Sequence, residues 1–369
     1  MNDQAYIRRS LELAKRGRGR VSPNPLVGAL VVAPDDTVLG EGWHEGPGSP
    51  HAEPVALSAA GDAARGATLY VSLEPCNHTG ATPPCCEAII AAGIARVVVA
   101  IGDPNPLVDG AGIQRLREAG ISVELAGEET ATAAARSNAA FFAHVRTGRP
   151  FVTLKAAATL DGKTAARDGS STWITSEESR ADVQRLRAEA DAVMVGSGTV
   201  LADDPRLTAR DPSYTGAPPL RVVLDATGRT PADAKVLDGQ APSLVFTTDI
   251  ADPDAVDAIL TRGAEVAFVD ADTEGGVNLA EVLDVLGKRD VQSVLLEGGS
   301  TVAERSVRRG LVDRVIVFLA PLVLGGREAP GILGGEGFAT LAEAVELDIG
   351  EVRRSGPDIR VEADVHRDH

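Results

Sequence analysis

The organisation of the first half of the chain can be read from two segments, SPHAEPVALSAA (residues 49–60) and LEPCNHTGATPPCC (residues 73–86). The first segment has the composition of a helix that begins at about His51. The second segment follows an apolar strand, predicted at 68–73, and leads into a helix that begins at Cys85. A strand that lies between two helices in the chain is the unit from which α/β domains are built.

The same alternation extends to both sides of these segments. In the first half, the hydrophobic periodicity predicts helices at 3–16, 51–60, 85–92, 111–119 and 128–145, and strands at 26–33, 38–42, 68–73, 96–101 and 121–125. The first two strands are separated by Pro34-Asp35-Asp36-Thr37, a turn typical of a hairpin. A hairpin followed by strands that alternate with helices indicates a three-layer α/β domain with a mixed sheet.

A second α/β domain is predicted after Thr147-Gly148-Arg149-Pro150, because Gly and Pro are typical of a boundary. We therefore expect domains at 1–147 and 148–369. In the second domain, the pattern predicts strands at 151–156, 192–195, 220–224, 243–246, 265–268, 293–296 and 314–319, and helices at 176–190, 253–261, 278–286 and 301–309. Gly196-Ser197-Gly198-Thr199 is expected to form a turn whose amides can face a phosphate.

The composition excludes several classes of protein. The 369 residues are 44% hydrophobic and 24% charged, as in ordinary globular domains. A net charge of −17 argues against a nucleic-acid partner, since phosphate contacts need a basic surface. The sequence has no apolar run of the roughly 20 residues that a membrane span needs, and residues 1–10 lack a signal-peptide core. We therefore expect a cytoplasmic protein that does not bind a membrane. We also expect a homo-oligomer.

The three cysteines of the chain lie close together, and an odd number of them favours metal binding or thiol chemistry over a disulfide framework. His51, Cys76 and Cys85 offer three ligands, which leaves a fourth tetrahedral position for water, as a catalytic zinc site requires. Glu53 is placed to lie beside the metal and to move a proton. An H-x-E segment followed by P-C and a later cysteine is the signature of zinc-dependent deaminases. Cys86 is interpreted as a core residue.

Several other interpretations of this cluster remain open. Buried cysteines often serve as small hydrophobic residues and bind nothing. A structural zinc would need a fourth protein ligand, for which His78 is the nearby candidate. A deaminase that edits nucleic acid would share the zinc chemistry, but its cysteines are closer together than Cys76 and Cys85 are here. The net charge also opposes nucleic-acid binding.

Three further motifs accompany the cysteines, namely PNPLVG (23–28), GWHEGPGSPHAE (42–53) and DPNPLVDGAG (103–112). Together with residues 73–86, they resemble the N-terminal domain of the bifunctional deaminase/reductase family of riboflavin biosynthesis. The resemblance implies a cytidine-deaminase-like fold, zinc on the three ligands named above and Glu53 as the proton carrier. It also implies substrate contacts from Asn24, His44, Asp103 and Asn105. Members of this family usually carry a basic residue where this chain has Ala81.

The second half resembles the reductase domain of the same family. The matching motifs are LKAAATLDGK (154–163), TWIT (172–175), VGSGTVLADDPRLT (195–208), LLEGGSTVA (295–303) and LAPLVLGG (319–326). The resemblance implies a dihydrofolate-reductase-like α/β fold that binds NADPH. The implied cofactor contacts are Ala157, Trp173, Thr199, Asp203, Gly299, Ser300 and Thr301. The implied substrate contacts are Lys155, Ser171, Arg187, Leu207, Arg210 and Glu297.

Two of these residues, Arg187 and Arg210, suit a ribose phosphate because a guanidinium group can bind phosphate with two parallel hydrogen bonds. The family commonly has Ser where this chain has Ala226, which predicts the loss of one hydrogen bond to the cofactor. The resemblance implies two reactions on a small pyrimidine ribotide. Zinc-dependent deamination of 2,5-diamino-6-(5-phosphoribosylamino)pyrimidin-4-one comes first, and NADPH-dependent reduction of its ribosyl side chain to ribityl follows.

Two alternatives to a bifunctional enzyme remain. The first is a reductase whose zinc domain has lost its activity and only supports the fold, against which Glu53 and the polar loops argue. The second is a binding protein with a structural zinc and no catalysis.

Overall fold

The computed structural model describes residues 3–79, 83–106, 108–211 and 214–366, so Ala81 lies outside the described residues. The chain forms two compact units, Met1–Gly148 and Arg149–His369. No helix among the described residues is both long enough and apolar enough to cross a membrane.

In the first unit, the described residues form six α-helices and five strands. The helices α1–α6 are Asp3–Ala14, Ala52–Ala60, Cys85–Ala92, Ala111–Glu118, Glu128–Ser137 and Ala139–Thr147. The strands β1–β5 are Gly28–Val32, Val38–Trp43, Thr68–Val71, Arg96–Val99 and Ser122–Leu125. The order across the sheet is β2-β1-β3-β4-β5. Strand β1 pairs antiparallel with β2 and β3, whereas β3, β4 and β5 are parallel, which confirms the mixed sheet.

The three layers follow from the alternation of side chains along the buried strand β1. Ala29 and Val31 belong to a hydrophobic cluster formed with α2, α3 and α4, while Leu30 and Val32 belong to a second cluster with α1 and α5. Successive residues of a strand face opposite sides of the sheet, so these two clusters cover its two faces. Close packing fixes α2 especially well, because a Cβ on Gly42 would come within 2.3 Å of the Ala52 carbonyl oxygen.

The second unit has five α-helices and nine strands among its described residues. The helices α7–α11 are Glu177–Glu189, Ser197–Asp203, Pro253–Thr261, Leu279–Gly287 and Ser300–Arg308. The strands β6–β14 are Phe151–Thr159, Ala192–Gly196, Leu220–Leu224, Ser243–Thr247, Glu265–Phe268, Ser293–Glu297, Arg314–Ala320, Leu347–Ser355 and Asp358–Val365. Their order is β10-β9-β8-β7-β11-β6-β12-β14-β13. The first seven strands in this order are parallel, and the β13–β14 hairpin is antiparallel.

Three predictions about the elements were wrong or incomplete. The single helix predicted at 128–145 is two helices, α5 and α6, separated at Asn138. The Asn138 side chain accepts a hydrogen bond from the Leu26 amide at 2.8 Å and donates one to the Leu26 carbonyl at 3.0 Å. These bonds explain the break, because an Asn side chain that binds a distant backbone segment competes with regular helix geometry.

The other two differences lie in the second unit. Gly196-Ser197-Gly198-Thr199 is not a turn, because β7 ends at Gly196 and α8 begins at the next residue. The β13–β14 hairpin was not predicted at all. Strand β13 is exposed along most of its length, and its register shifts between Ile349 and Glu351, so it lacks the alternation by which strands are recognised.

Candidate active sites

His51, Cys76 and Cys85 come together in the first unit. Their possible ligand atoms all lie within 4.8 Å of one another, and His78 is not among the described residues that form this group. The Nδ1 atom of His51 is 3.2 Å from the Cys85 sulfur and 3.6 Å from the Cys76 sulfur. One imidazole nitrogen and two sulfurs in this arrangement are the donor set of a catalytic zinc site, so the residues present fit the metal.

The local structure explains why the three side chains converge. His51 immediately precedes α2, Cys85 is the first residue of α3, and Cys76 follows β3 at the edge of the sheet. The Cys85 amide points at the Cys76 sulfur, 3.4 Å away, as the free amides of a first helical turn do. Cys86 is fully buried and its sulfur lies 3.5 Å from the carbonyl oxygens of Pro75 and Gly112, which confirms that it is a core residue.

The side chains of His51, Cys76 and Cys85 also shift one another's pKa values. Hydrogen bonds from the Cys85 side chain and from His51 hold the pKa of Cys76 at about 4, although burial opposes this. A hydrogen bond with Cys76 raises the pKa of His51. A hydrogen bond with the Cys76 side chain, together with burial, also raises the pKa of Cys85. A thiolate is the form that binds a metal, so the low pKa of Cys76 favours binding.

Glu53 lies in the first turn of α2 beside the three ligands and is only 3% exposed. Burial raises the pKa of its carboxyl group to about 7, and the charges and hydrogen bonds of the neighbouring Cys76, His51 and Cys85 also act on it. Its Oε2 atom is buried and makes no hydrogen bond with any described residue. A carboxyl group with a pKa near neutrality and a free oxygen is suited to accept and return a proton.

Asn24 and His44 form a hydrogen-bonded pair next to the metal ligands. The Asn24 amide nitrogen is 2.9 Å from Nε2 of His44, and the opposite ring nitrogen, Nδ1, is 3.1 Å from the Pro50 carbonyl oxygen. The ring of His44 meets that of His51 edge-on, with 5.5 Å between centroids. Burial lowers the pKa of His44, which keeps its ring neutral, with Nδ1 as the donor and Nε2 as the acceptor.

Asp103 and Asn105 follow β4, and Glu74 fixes their position. The Glu74 carboxylate accepts hydrogen bonds from the amides of Asp103, Gly110, Gly112 and Ile113, at 3.0–3.3 Å. The Asn105 amide donates to the Asp103 carboxylate at 2.9 Å, and burial raises the pKa of Asp103 to about 6. The segment after β4 is thereby tied to the chain two residues before the ligand Cys76.

A second cluster in the other unit joins Lys155, Arg187 and Glu297. Both Nε and Nη2 of Arg187 bind the Glu297 carboxylate, at 2.5 and 2.9 Å, and the Lys155 ammonium group is 3.2 Å from it. Lys155 and Glu297 lie level with each other on the paired strands β6 and β11. Burial opposes ionisation of Glu297, but the positive charges of Arg187 and Lys155 hold its pKa at about 2.

Arg210 and Leu207 lie on the segment that borders this cluster. The carbonyl oxygen of Thr208 is 3.5 Å from Nη1 of Arg187, and its hydroxyl accepts from the Arg210 guanidinium group at 3.2 Å. Leu207 is buried and has a φ of +53°, a left-handed conformation that is unusual for a residue other than Gly. Burial and the charge of Arg187 lower the pKa of Arg210.

The predicted cofactor residues gather partly around a turn of two glycines after β11. Gly298 and Gly299 have φ values of +84° and +76°, and a Cβ on Gly298 would come within 3.3 Å of the Thr199 hydroxyl. Ser300 and Thr301 open α11, whose first turn has no side-chain cap among the described residues. Open amides at the start of a helix suit a phosphate, so this turn fits the pyrophosphate of a dinucleotide.

The remaining predicted residues are placed less closely. Ala157 lies on β6 two residues beyond Lys155, and Asp203 is exposed at the end of α8. Trp173 is 72% exposed and stacks against the Arg180 guanidinium group, 4.7 Å from its ring centre. No hydrogen bond or ion pair within the described part of the chain joins Ser171 or Trp173 to the cluster of Lys155, Arg187 and Glu297.

Sequence reasoning missed the residues that hold these sites in shape. Glu74 could have been suspected, because a carboxylate between an apolar strand and a ligand cysteine is rarely buried without a partner. Thr208 acts partly through its backbone carbonyl, for which a sequence carries no signal.

The folds and the two clusters together define a zinc-dependent deaminase joined to an α/β reductase. Residues 1–101 match the zinc-binding region of cytidine and deoxycytidylate deaminases, and residues 150–361 match the RibD C-terminal domain. Because a relative 43% identical over 98% of the chain is a riboflavin biosynthesis protein RibD, the chain belongs to the RibD family. It is therefore a bifunctional deaminase and reductase of riboflavin biosynthesis that uses zinc and NADPH, and the predicted fold class is confirmed.

The similarity covers whole chains. The RibD protein of Bacillus amyloliquefaciens is the relative with 43% identity, and 96% of its length is covered. RibD of Escherichia coli K12 is 40% identical, with 97% of this chain and 98% of the relative covered. Solved structures include Acinetobacter baumannii RibD (39% identity, TM-score 0.86) and the deaminase/reductase of Thermotoga maritima (36% identity, TM-score 0.85), each covering 99% of both chains.

Proposed function

We propose that residues 1–147 deaminate 2,5-diamino-6-(5-phosphoribosylamino)pyrimidin-4-one and that residues 148–369 then reduce its ribosyl side chain to ribityl. The name of the Thermotoga maritima relative describes a deaminase of this pyrimidine ribotide and a reductase of the deaminated product. The observation that carries the proposal is the meeting of three metal-binding side chains beside a buried carboxyl group with a free oxygen.

For deamination, His51, Cys76 and Cys85 would hold the zinc ion. When bound, zinc acts as a Lewis acid that makes water a good nucleophile near neutral pH. Glu53 takes a proton from the attacking water and delivers it to the departing amino group, so that ammonia leaves and a carbonyl group forms on the ring. Its raised pKa suits both steps, because a group with a pKa near 7 can lose and regain a proton readily.

Asn24, His44, Asp103 and Asn105 would orient the pyrimidine ring. The neutral His44 ring, fixed between Asn24 and Pro50, contributes a defined edge next to the metal ligands. Glu74 is a positioning residue, since it holds the segment that carries Asp103 and Asn105 against the strand end before Cys76. Rigid placement of this kind is what brings a ring carbon into line for attack.

For reduction, NADPH would supply, when bound, the hydride that reduces C1′ of the opened ribose. Lys155, Arg187 and Glu297 would contact the substrate at the level where β6 and β11 pair, together with Ser171 and Leu207. Arg210 makes no ion pair with a carboxylate in the described part of the chain, so its guanidinium group is the one most available to the ribose phosphate. Glu297 holds Lys155 and Arg187 in position as a permanent anion.

The cofactor would lie along the carboxyl ends of the parallel strands. Gly299, Ser300 and Thr301 would hold its phosphates, and Ala157, Trp173, Thr199 and Asp203 would line the rest of the site. Backbone amides at the glycine turn approach a ligand closely because neither Gly298 nor Gly299 has a Cβ.

We also place the enzyme in the cytoplasm as a homo-oligomer. Strand β13 is the edge of the nine-stranded sheet and exposes Leu347, Ile349 and Val352. An exposed apolar edge strand is a template for pairing with a second copy, which supports the oligomer.

The test is to give the purified protein the diaminopyrimidine ribotide with and without NADPH, and to follow ammonia and NADPH absorbance together. We expect ammonia in both cases, and NADPH oxidation only after ammonia has been released. NADPH oxidation on the deaminated ribotide without any ammonia from the starting compound would instead identify an enzyme with one activity and an inactive zinc unit.

A further inference from the structure

The loop that follows β8, residues 225–230, is held rigidly at the edge of the sheet. The buried Asp225 carboxylate accepts hydrogen bonds from the amide and the hydroxyl of Thr230, at 2.6 and 2.7 Å. The Asp225 amide in turn donates to the Phe246 carbonyl oxygen of β9 at 2.9 Å. Arg229 immediately precedes the anchored Thr230, so the backbone position of Arg229 is fixed.

Arg229 is an exposed cation whose side chain is already directed towards α8. Its Nη2 atom donates to the Ser197 hydroxyl at 3.0 Å, and Ser197 is the first residue of the helix that carries Thr199 and Asp203. No carboxylate within the described ranges forms an ion pair with Arg229, whereas Arg206 and Arg221 nearby both bind Asp238. Arg229 thus has charge available for a ligand.

The strand order shows which part of a dinucleotide would reach this arginine. Strands β6, β11, β7 and β8 lie side by side and parallel. Lys155 of β6 is level with Glu297 at the carboxyl end of β11, and the Gly298–Gly299 turn, Thr199 and Arg229 follow the carboxyl ends of β11, β7 and β8. Adjacent strands are roughly 4.8 Å apart, so β8, which leads into the loop of Arg229, is about 14 Å across the sheet from β6, which carries Lys155. A dinucleotide with its nicotinamide near Lys155 and its pyrophosphate at the glycine turn would extend its adenine ribose beyond Thr199 towards β8.

The neighbouring Ala226 strengthens this assignment. Its methyl side chain offers no hydrogen bond, and its carbonyl oxygen is used by the Thr248 hydroxyl at 2.8 Å. In the 225–230 loop, Arg229 is therefore the residue with a charge that can bind a phosphate on the ribose. A guanidinium group binds such a phosphate strongly, since it offers parallel donors as well as charge.

We propose that Arg229 binds the 2′-phosphate of NADPH and thereby determines the preference of the reductase for NADPH over NADH. The inference rests on the proposed cofactor site. It adds a specificity-determining residue, Arg229, that the sequence motifs did not indicate.

The test measures binding by calorimetry, without catalysis. The ligands are NADP⁺, NAD⁺, adenosine 2′,5′-bisphosphate and AMP, and the proteins are the full-length wild type, Arg229→Gln and Arg229→Lys. Arg262→Gln is the matched control, because Arg262 is also exposed but lies at the end of α9, just before the amino end of β10, whereas Arg229 follows the carboxyl end of β8. Thermal unfolding of each variant checks that the fold is intact.

For Arg229→Gln we expect NADP⁺ and the bisphosphate to bind about 10- to 100-fold more weakly, the usual effect of losing a charge-assisted hydrogen bond. NAD⁺ and AMP should change less than about twofold, Arg229→Lys should keep part of the preference, and Arg262→Gln should behave as wild type. Equal losses for NADP⁺ and NAD⁺, or no loss for either, would overturn the assignment of Arg229 while leaving the cofactor site in place. A wild-type protein that binds neither dinucleotide would overturn the cofactor site itself.

Discussion

Glu53 in the first unit and Glu297 in the second are almost equally buried, at 3% and 5% exposure, yet their pKa values move in opposite directions. Burial alone raises the pKa of a carboxyl group, and it raises that of Glu53 to about 7. The pKa of Glu297 falls to about 2 because Arg187 and Lys155 surround its carboxylate. Neighbouring charges, and not the depth of burial, cause the difference between the two pKa values.

The comparison separates two uses of a buried acid. Glu53 meets a histidine and two cysteines and keeps one oxygen free of hydrogen bonds to the described residues, which suits a group that must exchange a proton. Glu297 uses both oxygens to hold two cations, which suits a group that must stay charged and keep its neighbours in place. Glu53 in the first unit is thus suited to proton transfer, and Glu297 in the second unit is suited to positioning Arg187 and Lys155.

The largest effect is expected from removing a metal ligand. His51→Ala should lose zinc and slow ammonia release by at least about 10³-fold, because the metal supplies several kcal/mol of transition-state stabilisation. Cys86→Ala is the matched control, since Cys86 is buried next to Cys85 but lies outside the three-ligand group, and it should keep its zinc. Elemental analysis and an ammonia assay measure both. Equal zinc loss in the two variants would show that the metal is held differently.

A smaller but more discriminating effect concerns stability and pH in the metal-free protein. The folded pKa of Glu53 lies above its ordinary value of 4.5, so ionisation in the folded state costs stability as the pH rises from about 4.5 to 7. Glu53→Gln should remove this cost and stabilise the first unit at pH 8 by up to roughly 3 kcal/mol, with little change at pH 4.

Glu297→Gln should have the opposite effect on stability. The folded pKa of Glu297 lies below 4.5, so its contribution to stability is complete above about pH 4.5 and is lost as the pH falls towards 2. Its replacement should destabilise the second unit by roughly 3 kcal/mol at pH 8, and by progressively less below pH 4.5. Calorimetric scans of metal-free protein at several pH values measure both variants. If both variants shifted stability in the same direction, the contrast between the two glutamates would be refuted.

The smallest effect is expected at Asn138, which holds Leu26 and, through it, the segment that carries Asn24. Asn138→Ala should raise the KM for deamination severalfold and cost the first unit about 1–2 kcal/mol, because two hydrogen bonds to the backbone are lost. Reduction of the deaminated substrate should be unchanged. Steady-state kinetics of each reaction test this, and an equal loss in both would show that Asn138 acts on the whole molecule.

The sequence predicted the first site better than the second for a physical reason. His51, Glu53, Cys76 and Cys85 lie at or near the ends of successive elements, so their spacing alone indicated a metal site. Lys155 and Glu297 are brought together by the pairing of distant strands, and Arg187 binds Glu297 from helix α7, so only the resemblance to a family indicated their role.

Two features left no pattern that sequence reasoning could use. The exposed, bulged strand β13 does not alternate between apolar and polar residues, so the C-terminal hairpin was missed. The break at Asn138 depends on a tertiary contact with Leu26, which helix propensity does not contain. Glu74 was also missed, because its four amide partners depend on the folded loop.

The most direct test of the account is to measure both reactions in Glu53→Gln and Glu297→Gln, with zinc bound and each reaction supplied with its own substrate. Glu53→Gln should slow ammonia release by about 10²- to 10⁴-fold and leave NADPH oxidation on the deaminated ribotide unchanged. Glu297→Gln should spare ammonia release and strongly slow NADPH oxidation. Loss of both reactions in either variant, with the fold intact, would contradict two separate sites that are each built around one buried glutamate.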